Sequence, residues 1–458
     1  MRPLPSSYRD NAGFVFEHNG NVYRYIHPRY LSAYHQLMQS GLYTELTAKG
    51  WLIPHTEIAD GAPFNYPDGK VIFPEQIPFI SYPYEWGFAM WQHAALLTLN
   101  IATAALKNNM FLKDATPFNI QFLKGKPVFI DTLSFENYEE GKPWIAYRQF
   151  CESFLAPLLL MHYCHQDSYK LLMLYPNGIP LEILITLLPK KCKWNLNAYL
   201  HIYLQSKISS TKNKSSAAFH FSKQKQEILL KGLTGFVQKL SVKKTKTTWD
   251  DYYTGTILGQ QYLDTKTKLV QSFLTDIDFK TVIDLGANDG YFSLLFQNTD
   301  KEIIAVDADS NCINNLYIKI RRDNITNILP LIITLNNPSP AIGWNNEERD
   351  AFIKRSKSKQ GLVLALALVH HLAIACNVPL GLIANWLAPM SNYLLIEFVP
   401  KQDEKVQLLL QNRQDIFDDY TQVNFETVFL KQYKIILQQK INGTDRILYL
   451  MKKINETT

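Results

Sequence analysis

The chain has 458 residues, of which 47% are hydrophobic and 19% are charged. This composition excludes a disordered chain, and the length gives room for two or three domains that each bury a core. The net charge of +6 is well short of that of a dedicated nucleic-acid-binding protein, so we expect no nucleic-acid partner.

The N-terminal half of the chain has a mixed pattern of strands and helices. In chain order, the predicted elements are a β-hairpin around Asn19-Gly20, helices over 28–49 and 87–108, a second hairpin around Lys124-Gly125, and apolar helices over 150–205. The Asn-Gly pair is typical of a tight hairpin turn, and the helices follow from apolar residues at helical spacing. We therefore expect an α+β domain at residues 1–206.

The C-terminal half is predicted to be an α/β domain at residues 249–458. It follows a stretch rich in Lys, Ser and Thr at 207–248, which we interpret as a basic linker that carries one helix. Seven strand-like runs then alternate with helices, one of which is expected from about residue 345. This alternation predicts βαβ units and a mostly parallel sheet. The last two strands flank Asn442-Gly443 and should be antiparallel.

The five cysteines are widely scattered and contain no CxxC pair. Neither a disulfide framework nor a zinc ribbon is therefore expected, and a reducing compartment is favoured. The first residues are polar and contain no apolar signal region. The most apolar stretch, 361–376, is shorter than the roughly 20 residues needed to cross a bilayer. We expect a cytoplasmic protein without a membrane span.

The first strand of the C-terminal half ends in DLGANDG, residues 284–290. Gly286 and Gly290 lack a Cβ, so they permit a tight turn and close approach of a ligand. The second strand ends at Asp307, 23 residues after the first acid of the loop, where a carboxylate can accept hydrogen bonds from ribose hydroxyls. A dinucleotide site would have a glycine in place of Asn288. The pattern indicates an adenosine-bearing ligand without phosphates.

These two motifs resemble those of the class I S-adenosylmethionine-dependent methyltransferases, over about residues 249–453. The resemblance implies a Rossmann-like seven-stranded methyltransferase sheet and S-adenosyl-L-methionine as the cofactor. It assigns the methionine part to Asp284, Gly286, Ala287, Asn288 and Gly290, and the ribose to Asp307. Thr334 stands where the family often has a further polar residue near the adenine. Within the class, the sequence is similar to the nodulation-protein-like methyltransferases.

The methyl acceptor is not specified by a diagnostic pattern, and small molecules, glycans and proteins all remain open. His370 and His371 follow the fourth strand, where such enzymes place residues of the acceptor side, and a histidine can act as a general base. Glu397, at the end of the fifth strand, is a further candidate. Alternatively, one histidine caps the strand end and the other is partly buried. Four aromatic residues before the loop are expected to cover the ligand: Trp249, Tyr252, Tyr253 and Tyr262.

A second candidate site lies in the N-terminal domain. Asp114 and Asn119 are five residues apart, and Asp131 follows at a strand end. This spacing resembles the catalytic loop of protein-kinase-like and aminoglycoside-phosphotransferase-like folds, which implies Mg-ATP as a ligand. However, Leu112 replaces the usual histidine and the first hairpin is not a glycine-rich loop, although Arg24 could stand in for the usual lysine. A purely structural loop is the alternative interpretation.

Two functional hypotheses follow from the two sites. The first is a methyltransferase whose α+β kinase-like domain is degenerate and positions or recruits the substrate, or regulates the enzyme. The second is a nucleotide-binding phosphotransferase or pseudokinase-type regulator that acts through the N-terminal domain. A third hypothesis is a non-catalytic interaction protein. Binding of S-adenosylmethionine or of Mg-ATP would distinguish the first two, and stabilisation of the fold by neither ligand would favour the third.

Overall fold

The computed structural model describes residues 2–59, 64, 68–210, 221–242, 259–358 and 361–454. The chain divides into two compact units, the first formed by 1–244 with 341–350 and the second by 245–340 with 351–458. Three of the aromatic residues expected to cover the ligand lie outside the described residues: Trp249, Tyr252 and Tyr253. The expected linker at 207–248 is described only in part.

The first unit begins with a five-stranded antiparallel sheet in the order β1-β2-β3-β5-β4. Its strands are β1 Arg2–Pro3, β2 Gly13–His18, β3 Asn21–Ile26, β4 His55–Glu57 and β5 Lys70–Pro74. Asn19 and Gly20 have positive φ angles of 51° and 77°, as a tight turn between two strands requires. The predicted first hairpin is confirmed.

Helices make up most of the rest of the first unit. They are α1 Leu31–Gln39, α2 Leu42–Ala48, α3 Phe88–Lys107, α4 Tyr147–Phe150, α5 Ala156–Tyr163, α6 Leu171–Leu174, α7 Leu181–Leu187, α8 Leu196–Ala198, α9 Gln205–Ser210 and α10 Lys223–Lys239. Two further strand pairs are β6 Met110–Leu112 with β9 Phe135–Asn137, and β7 Ile120–Leu123 with β8 Lys126–Phe129. The predicted hairpin around Lys124-Gly125 is thereby confirmed.

The helix α3 forms the centre of the first unit. It is apolar on nearly all sides and most of its side chains are buried, as expected of a helix that other elements surround. The helix α10 packs against it, and the side-chain amide of Gln92 donates to the carbonyls of Val237 and Leu240, at 2.8 and 2.9 Å. The helix expected within the linker therefore belongs to the first unit.

The second unit alternates strands and helices, as the sequence predicts. Its helices are α11 Gln260–Leu274, α12 Ser310–Arg322, α13 Phe352–Arg355, α14 Leu380–Leu387, α15 Glu404–Leu410 and α16 Gln422–Phe429. Its strands are β10 Thr281–Leu285, β11 Glu302–Asp307, β12 Ile328–Ile332, β13 Gly361–Ala365, β14 Tyr393–Phe398, β15 Tyr433–Lys440 and β16 Ile447–Lys453.

These strands form one seven-stranded sheet in the order β12-β11-β10-β13-β14-β16-β15. The first five are parallel, and β16 is antiparallel to both of its neighbours. The antiparallel pairing predicted for the last two strands is confirmed. The chain runs outward from β10 through β11 to β12 and then returns to β13 on the other side of β10. This reversal leaves a crevice at the carboxyl ends of the strands, where open α/β sheets bind ligands.

The segment 341–350 follows β12 in the chain but packs with the first unit. The helix predicted from about residue 345 begins only at Phe352, as α13, because Asn345 and Asn346 have positive φ angles of 54° and 55° and cannot belong to a right-handed α-helix. Instead, the backbones of Ile342 and Arg349 pair across a loop. In the described ranges of both units, no helix is long and apolar enough to cross a membrane.

Candidate functional site

The loop after β10 turns sharply beneath the end of β11. The backbone N–H groups of Gly286 and Ala287 both donate to the carbonyl of Val306, at 2.9 Å. Gly286 and Gly290 have φ angles of +77° and +82°, and Asn288 has a φ of 53°. Glycine adopts this left-handed region at no steric cost, and asparagine adopts it more easily than most residues. The predicted tight turn is therefore confirmed.

The two glycines of this loop serve different purposes. A Cβ on Gly290 would lie 2.6 Å from Cδ1 of Leu316, so its absence lets α12 pack close to the loop. A Cβ on Gly286 would meet nothing nearer than Cδ1 of Leu368, at 3.4 Å. Because Gly286 lines a cavity, its missing side chain leaves space for a ligand at the backbone.

The carboxylates of Asp284 and Asp307 end the neighbouring strands β10 and β11. Asp284 is 3% exposed and accepts a hydrogen bond from Oγ of Ser293, at 2.6 Å. Its pKa is raised to about 6, mainly by burial; the hydrogen bond from Ser293 opposes this rise and the negative charge of Asp307 adds to it. Asp307 accepts the N–H of Asn288 at one oxygen and that of Asp309 at the other, both at 2.8 Å. Burial raises its pKa as well.

Asp309 has a structural role in the same turn. Its carboxylate accepts the backbone N–H groups of Asn311 and Cys312, at 2.8 and 3.2 Å, and so caps the first turn of α12. Such a cap stabilises a helix by roughly 1 kcal/mol. Asp309 therefore fixes the start of the helix that follows Asp307.

A cavity of about 300 Å³ opens at the carboxyl ends of four parallel strands. Gly286 and Asn288 line it after β10, Asp307 and Ala308 at the end of β11, Thr334 after β12, and Leu368 after β13. Further lining residues from other elements are Tyr262, Lys266, His371, Lys405 and Arg446. The structure thus brings Gly286, Asn288 and Asp307 to one concave site, of a size usual for small ligands.

A buried cluster of charged residues adjoins this cavity. Nζ of Lys266 lies 2.5 Å from Oε2 of Glu397. The hydroxyl of Tyr262 donates to Oε1 of Glu397 at 2.9 Å, and Nη1 of Arg446 lies 3.4 Å from the same oxygen. Arg446 also binds Asp403 with two parallel hydrogen bonds of 2.8 and 2.9 Å. Two cations and two carboxylates therefore neutralise one another.

The environment of Glu397 is that of a counter-ion. Burial by itself would raise its pKa, but the charges of Lys266 and Arg446 outweigh this effect and hold the pKa below its ordinary value. Burial lowers the pKa of Lys266, against the attraction of Glu397. Glu397 is wholly buried and lies behind the residues that line the cavity. Its role as a general base stays a prediction.

The two adjacent histidines occupy different environments, although their ring centres are 4.1 Å apart. His371 lines the cavity, and burial together with the charges of Arg446 and Lys405 lowers its pKa to about 4. His370 is wholly buried, and burial lowers its pKa far below the ordinary value. Among the described residues, neither ring nitrogen of His370 has a hydrogen-bond partner.

Several residues of the cavity wall were not identified from the sequence. Lys266, Lys405 and Arg446 belong to no recognisable motif, and Arg446 lies 49 residues from its partner Glu397 along the chain. Only Lys266 could have been found from the sequence, because it lies four residues after Tyr262 and therefore on the same face of α11.

The second candidate site, in the first unit, gathers the three residues predicted for it. The carboxylate of Asp114 accepts a hydrogen bond from the side-chain amide of Gln149 at 2.6 Å. Burial raises its pKa, and the charge of Asp131 raises it further. The amide of Asn119 donates to Oγ of Ser134 at 3.3 Å. Asp114, Asn119 and Asp131 therefore lie in one neighbourhood.

Both carboxylate oxygens of Asp131 have partners within the protein. Nη1 of Arg24, on β3, lies 2.7 Å from Oδ1, and the hydroxyl of Ser134 donates to Oδ2. Arg24 also pairs with Asp10. The suggestion that Arg24 replaces the usual lysine stays a prediction. Throughout the described ranges, no group of three or more His, Cys, Asp or Glu side chains is arranged to hold a metal ion.

Comparison with known proteins gives one relative that spans nearly the whole chain. The chain is 31% identical over 467 residues to the Nodulation protein NoeA of Rhizobium meliloti (strain 1021), and the match covers 98% of this chain and 96% of that protein. No family model matches.

Solved structures match about half of the chain. N-methyltransferase NodS from Bradyrhizobium japonicum WM9 is 10% identical, with coverage of 42% of this chain and 97% of that chain and a TM-score of 0.32. The bifunctional kinase-methyltransferase WbdD is 14% identical. That match covers 48% of this chain and 45% of that chain, with a TM-score of 0.30.

Proposed function

The chain belongs to the family of the nodulation protein NoeA, and we propose that it is a class I S-adenosylmethionine-dependent methyltransferase. One observation carries the proposal: the glycine loop at Gly286 and the carboxylate of Asp307 face the same cavity at the carboxyl ends of β10 and β11. This is the switch point at which open α/β sheets bind ligands. The acceptor is a small molecule, a glycan or a protein.

The chemistry of Asp307 fits a ribose. Each of its oxygens accepts one backbone N–H, and a carboxylate offers about four acceptor sites. Acceptor capacity for a ribose hydroxyl therefore remains. The loop does not favour a pyrophosphate, because it leads into a short helical turn, Ser293–Phe296, rather than a long helix with a strong N-terminal dipole.

The remaining parts of the cofactor are assigned by position. We propose that the loop around Gly286, Ala287 and Asn288 holds the methionine part. Asp284 and Gly290 do not line the cavity and instead stabilise the conformation of this loop. Thr334 and Ala308 lie beyond Asp307, where the adenine would rest. S-adenosylmethionine, when bound, supplies an electrophilic methyl group on a sulfonium sulfur.

The task of the protein is then to align the acceptor with that methyl group and to exclude water. The apolar side chains of Leu368 and Leu372 form part of the cavity wall. If the acceptor carries a proton, His371 is the histidine placed to take it, since His370 does not reach the cavity wall. Glu397 acts as a positioning residue that holds Tyr262 and Lys266.

The proposal is tested by isothermal titration of the protein with S-adenosylhomocysteine. The substitution Asp307→Ala removes charge-assisted hydrogen bonds to the ribose, each contributing about 1.5–3 kcal/mol, so the affinity should fall by about 10-fold or more. Asp300→Ala is the matched control, because Asp300 is an acid of the same unit that is 87% exposed. Absence of binding by the wild-type protein, or equal affinity in Asp307→Ala, would refute the proposal.

For the first unit we propose a degenerate kinase-like domain that recruits the substrate or regulates the enzyme. The engagement of Asp131 by Arg24 and Ser134 disfavours the alternative, a Mg-ATP-dependent phosphotransferase or pseudokinase-type regulator. We also propose a cytoplasmic location, which is consistent with five free cysteine thiols.

A further inference from the structure

The first unit exposes a group of large apolar side chains around Trp194. This tryptophan ends the helical turn Lys190–Trp194 and is 90% exposed. The chain then continues as one helix from Leu196 through α9. Exposed apolar residues follow one another along this helix at a spacing of three or four residues, at Leu196, Tyr199, Leu200 and Leu204. Residues at this spacing share a face of the helix, and adjoining exposed apolar residues mark an interaction site.

The other face of the same helix is packed into the first unit. Ala198 and Ile202 are fully buried, and the helix contacts α7. The side-chain oxygen of Asn195 accepts the backbone N–H groups of Asn197 and Ala198, at 3.1 and 3.2 Å, and so caps the first turn. Packing therefore fixes the orientation of the helix, and the exposed apolar face is a stable surface of the folded unit.

The surroundings of this surface are basic. From residue 183 to residue 226 the sequence contains no Asp or Glu but eight lysines. Lys190, Lys191 and Lys193 are exposed and directly precede the exposed tryptophan. Within the described part of the chain, none of these three ammonium groups forms an ion pair. Glu182, the nearest acid before them in the chain, pairs with Arg148. Positive charge therefore borders the apolar surface.

We propose that this surface docks on a membrane that contains anionic lipids. The lysines attract the anionic headgroups, and the apolar side chains enter the boundary between headgroups and acyl chains. Tryptophan is favoured at this boundary because its ring is apolar and its N–H is polar. The docking surface consists of the three lysines together with Trp194, Leu196, Tyr199, Leu200 and Leu204.

Two other classes of partner fit this surface less well. Protein–protein interfaces are depleted in lysine relative to the rest of the protein surface. Single-stranded nucleic acids are bound by aromatic rings on which the bases stack, whereas three of the five apolar side chains of the docking surface are leucines. A lipid surface uses aliphatic side chains and lysines together.

Co-sedimentation of the full chain with lipid vesicles tests the proposal. Vesicles of phosphatidylcholine with added phosphatidylglycerol should bind at least about tenfold more tightly than vesicles of phosphatidylcholine alone. Trp194→Ser should weaken this binding by about tenfold. The triple variant with Gln at residues 190, 191 and 193 should weaken it by about 100-fold, because each lysine contributes about fivefold. Added salt should weaken the binding of the wild type.

Matched controls come from the same unit. Trp344 is 71% exposed, but it is followed by Glu347 and Glu348 and has no lysine nearby in the chain, so Trp344→Ser should leave vesicle binding unchanged. Lys124→Gln should also have no effect, since Lys124 is an exposed lysine that pairs with Glu75. Circular dichroism during heating checks that all variants fold as the wild type does.

Several results would overturn the proposal. These are equal binding to both kinds of vesicle, binding to neither, or equal losses in Trp194→Ser and Trp344→Ser. If the protein binds single-stranded polyuridylate but no vesicles, the surface recognises nucleic acid instead. If it binds no vesicles but self-associates in sedimentation velocity, and Trp194→Ser abolishes this association, the surface joins two copies of the chain.

Discussion

The ammonium of Lys266 lies 2.5 Å from Oε2 of Glu397, and the two side chains are only 4% and 0% exposed. Removing both charges from water costs several kcal/mol per ion, and their attraction offsets this cost only because further partners complete the cluster. Tyr262 and Arg446 supply these partners at the other oxygen of Glu397. The pair therefore fixes α11 against the end of β14, where the cavity lies.

Breaking this pair on one side is expected to be strongly destabilising. Lys266→Met and Glu397→Gln should each lower the free energy of unfolding of the second unit by about 3–5 kcal/mol, because a buried charge is left without its partner. The double variant should lose less than the sum of the two single losses. Urea denaturation followed by circular dichroism measures all three. Losses that simply add would show that the two groups do not interact.

An exposed ion pair provides the comparison for this experiment. Lys440 and Asp445 lie 2.6 Å apart, with 61% and 78% of their side chains exposed. Lys440→Met should change the free energy of unfolding by less than about 1 kcal/mol, because water screens the pair.

Asp284 makes the stability of the second unit depend on pH. Its ordinary pKa of 3.8 is raised to about 6 by burial, so between these values the folded state holds a proton that the unfolded state has released. Stability must therefore fall as the pH rises through this window. Asp284→Asn, which is neutral throughout, should match the wild type near pH 3.5 and exceed it by up to about 3 kcal/mol at pH 7.5. If Asp284→Asn were more stable than the wild type by the same amount at both pH values, the raised pKa of Asp284 would be contradicted.

His371 should contribute a pH dependence of opposite sign. Its pKa falls from 6.5 to about 4 in the folded protein, so the unfolded state binds the proton first. The stability present above pH 6.5 is lost as the pH falls toward 4. In a nuclear magnetic resonance titration of ring-labelled histidines, the resonance assigned by its loss in His371→Gln should not shift between pH 8 and 5. A midpoint near 6.5, as in the protein unfolded by urea, would refute this prediction.

Local signals were sufficient to predict much of the fold. The Asn19-Gly20 turn, the antiparallel last strands and the glycine loop at 284–290 each depend on residues that are close together in the chain. Asp307 could be placed because an acid directly after a buried strand marks the carboxyl end of that strand. In each case, the backbone requirement of a turn or strand end restricts the residue types.

The buried charged cluster and the segment around residue 345 could not be predicted, because both depend on contacts between residues that are distant in the chain. Tyr262 and Glu397 are 135 residues apart in the chain, and only the packing of α11 against β14 brings them together. The start of the helix predicted from about residue 345 was wrong, because Asn345 and Asn346 adopt left-handed backbone conformations in a loop that packs with the first unit. Helical spacing of residues cannot reveal such a tertiary requirement.

Alanine substitutions at the two glycines of the loop should have different effects. Gly290→Ala would place a methyl group 2.6 Å from Cδ1 of Leu316, at a φ of +82°, and should destabilise the second unit by about 2–3 kcal/mol. At Gly286 the φ is equally strained, but an added methyl group would meet no atom nearer than 3.4 Å. Gly286→Ala should therefore lower the free energy of unfolding by only about 1 kcal/mol. Because Gly286 lines the cavity, this variant should nonetheless bind S-adenosylhomocysteine more weakly.

Thermal unfolding and calorimetric titration of both glycine variants separate packing from binding. The double variant Gly290→Ala with Leu316→Ala should recover part of the stability lost in Gly290→Ala, since the clash is removed, although a new cavity adds its own cost. If Gly286→Ala binds the ligand as tightly as the wild type, the loop does not approach the cofactor closely.

Mg-ATP is expected to leave the melting temperature of the first unit unchanged. Asp131, the residue that would bind the metal ion, already has partners at both oxygens, Arg24 and Ser134. Asp131→Ala should instead lower the free energy of unfolding by about 2–4 kcal/mol, because the guanidinium of Arg24, 11% exposed, loses one of its two carboxylates. Glu139→Ala, at an acid that is 62% exposed, is the control. A rise in melting temperature that depends on the Mg-ATP concentration and disappears in Asp131→Ala would establish nucleotide binding and favour the phosphotransferase or pseudokinase alternative.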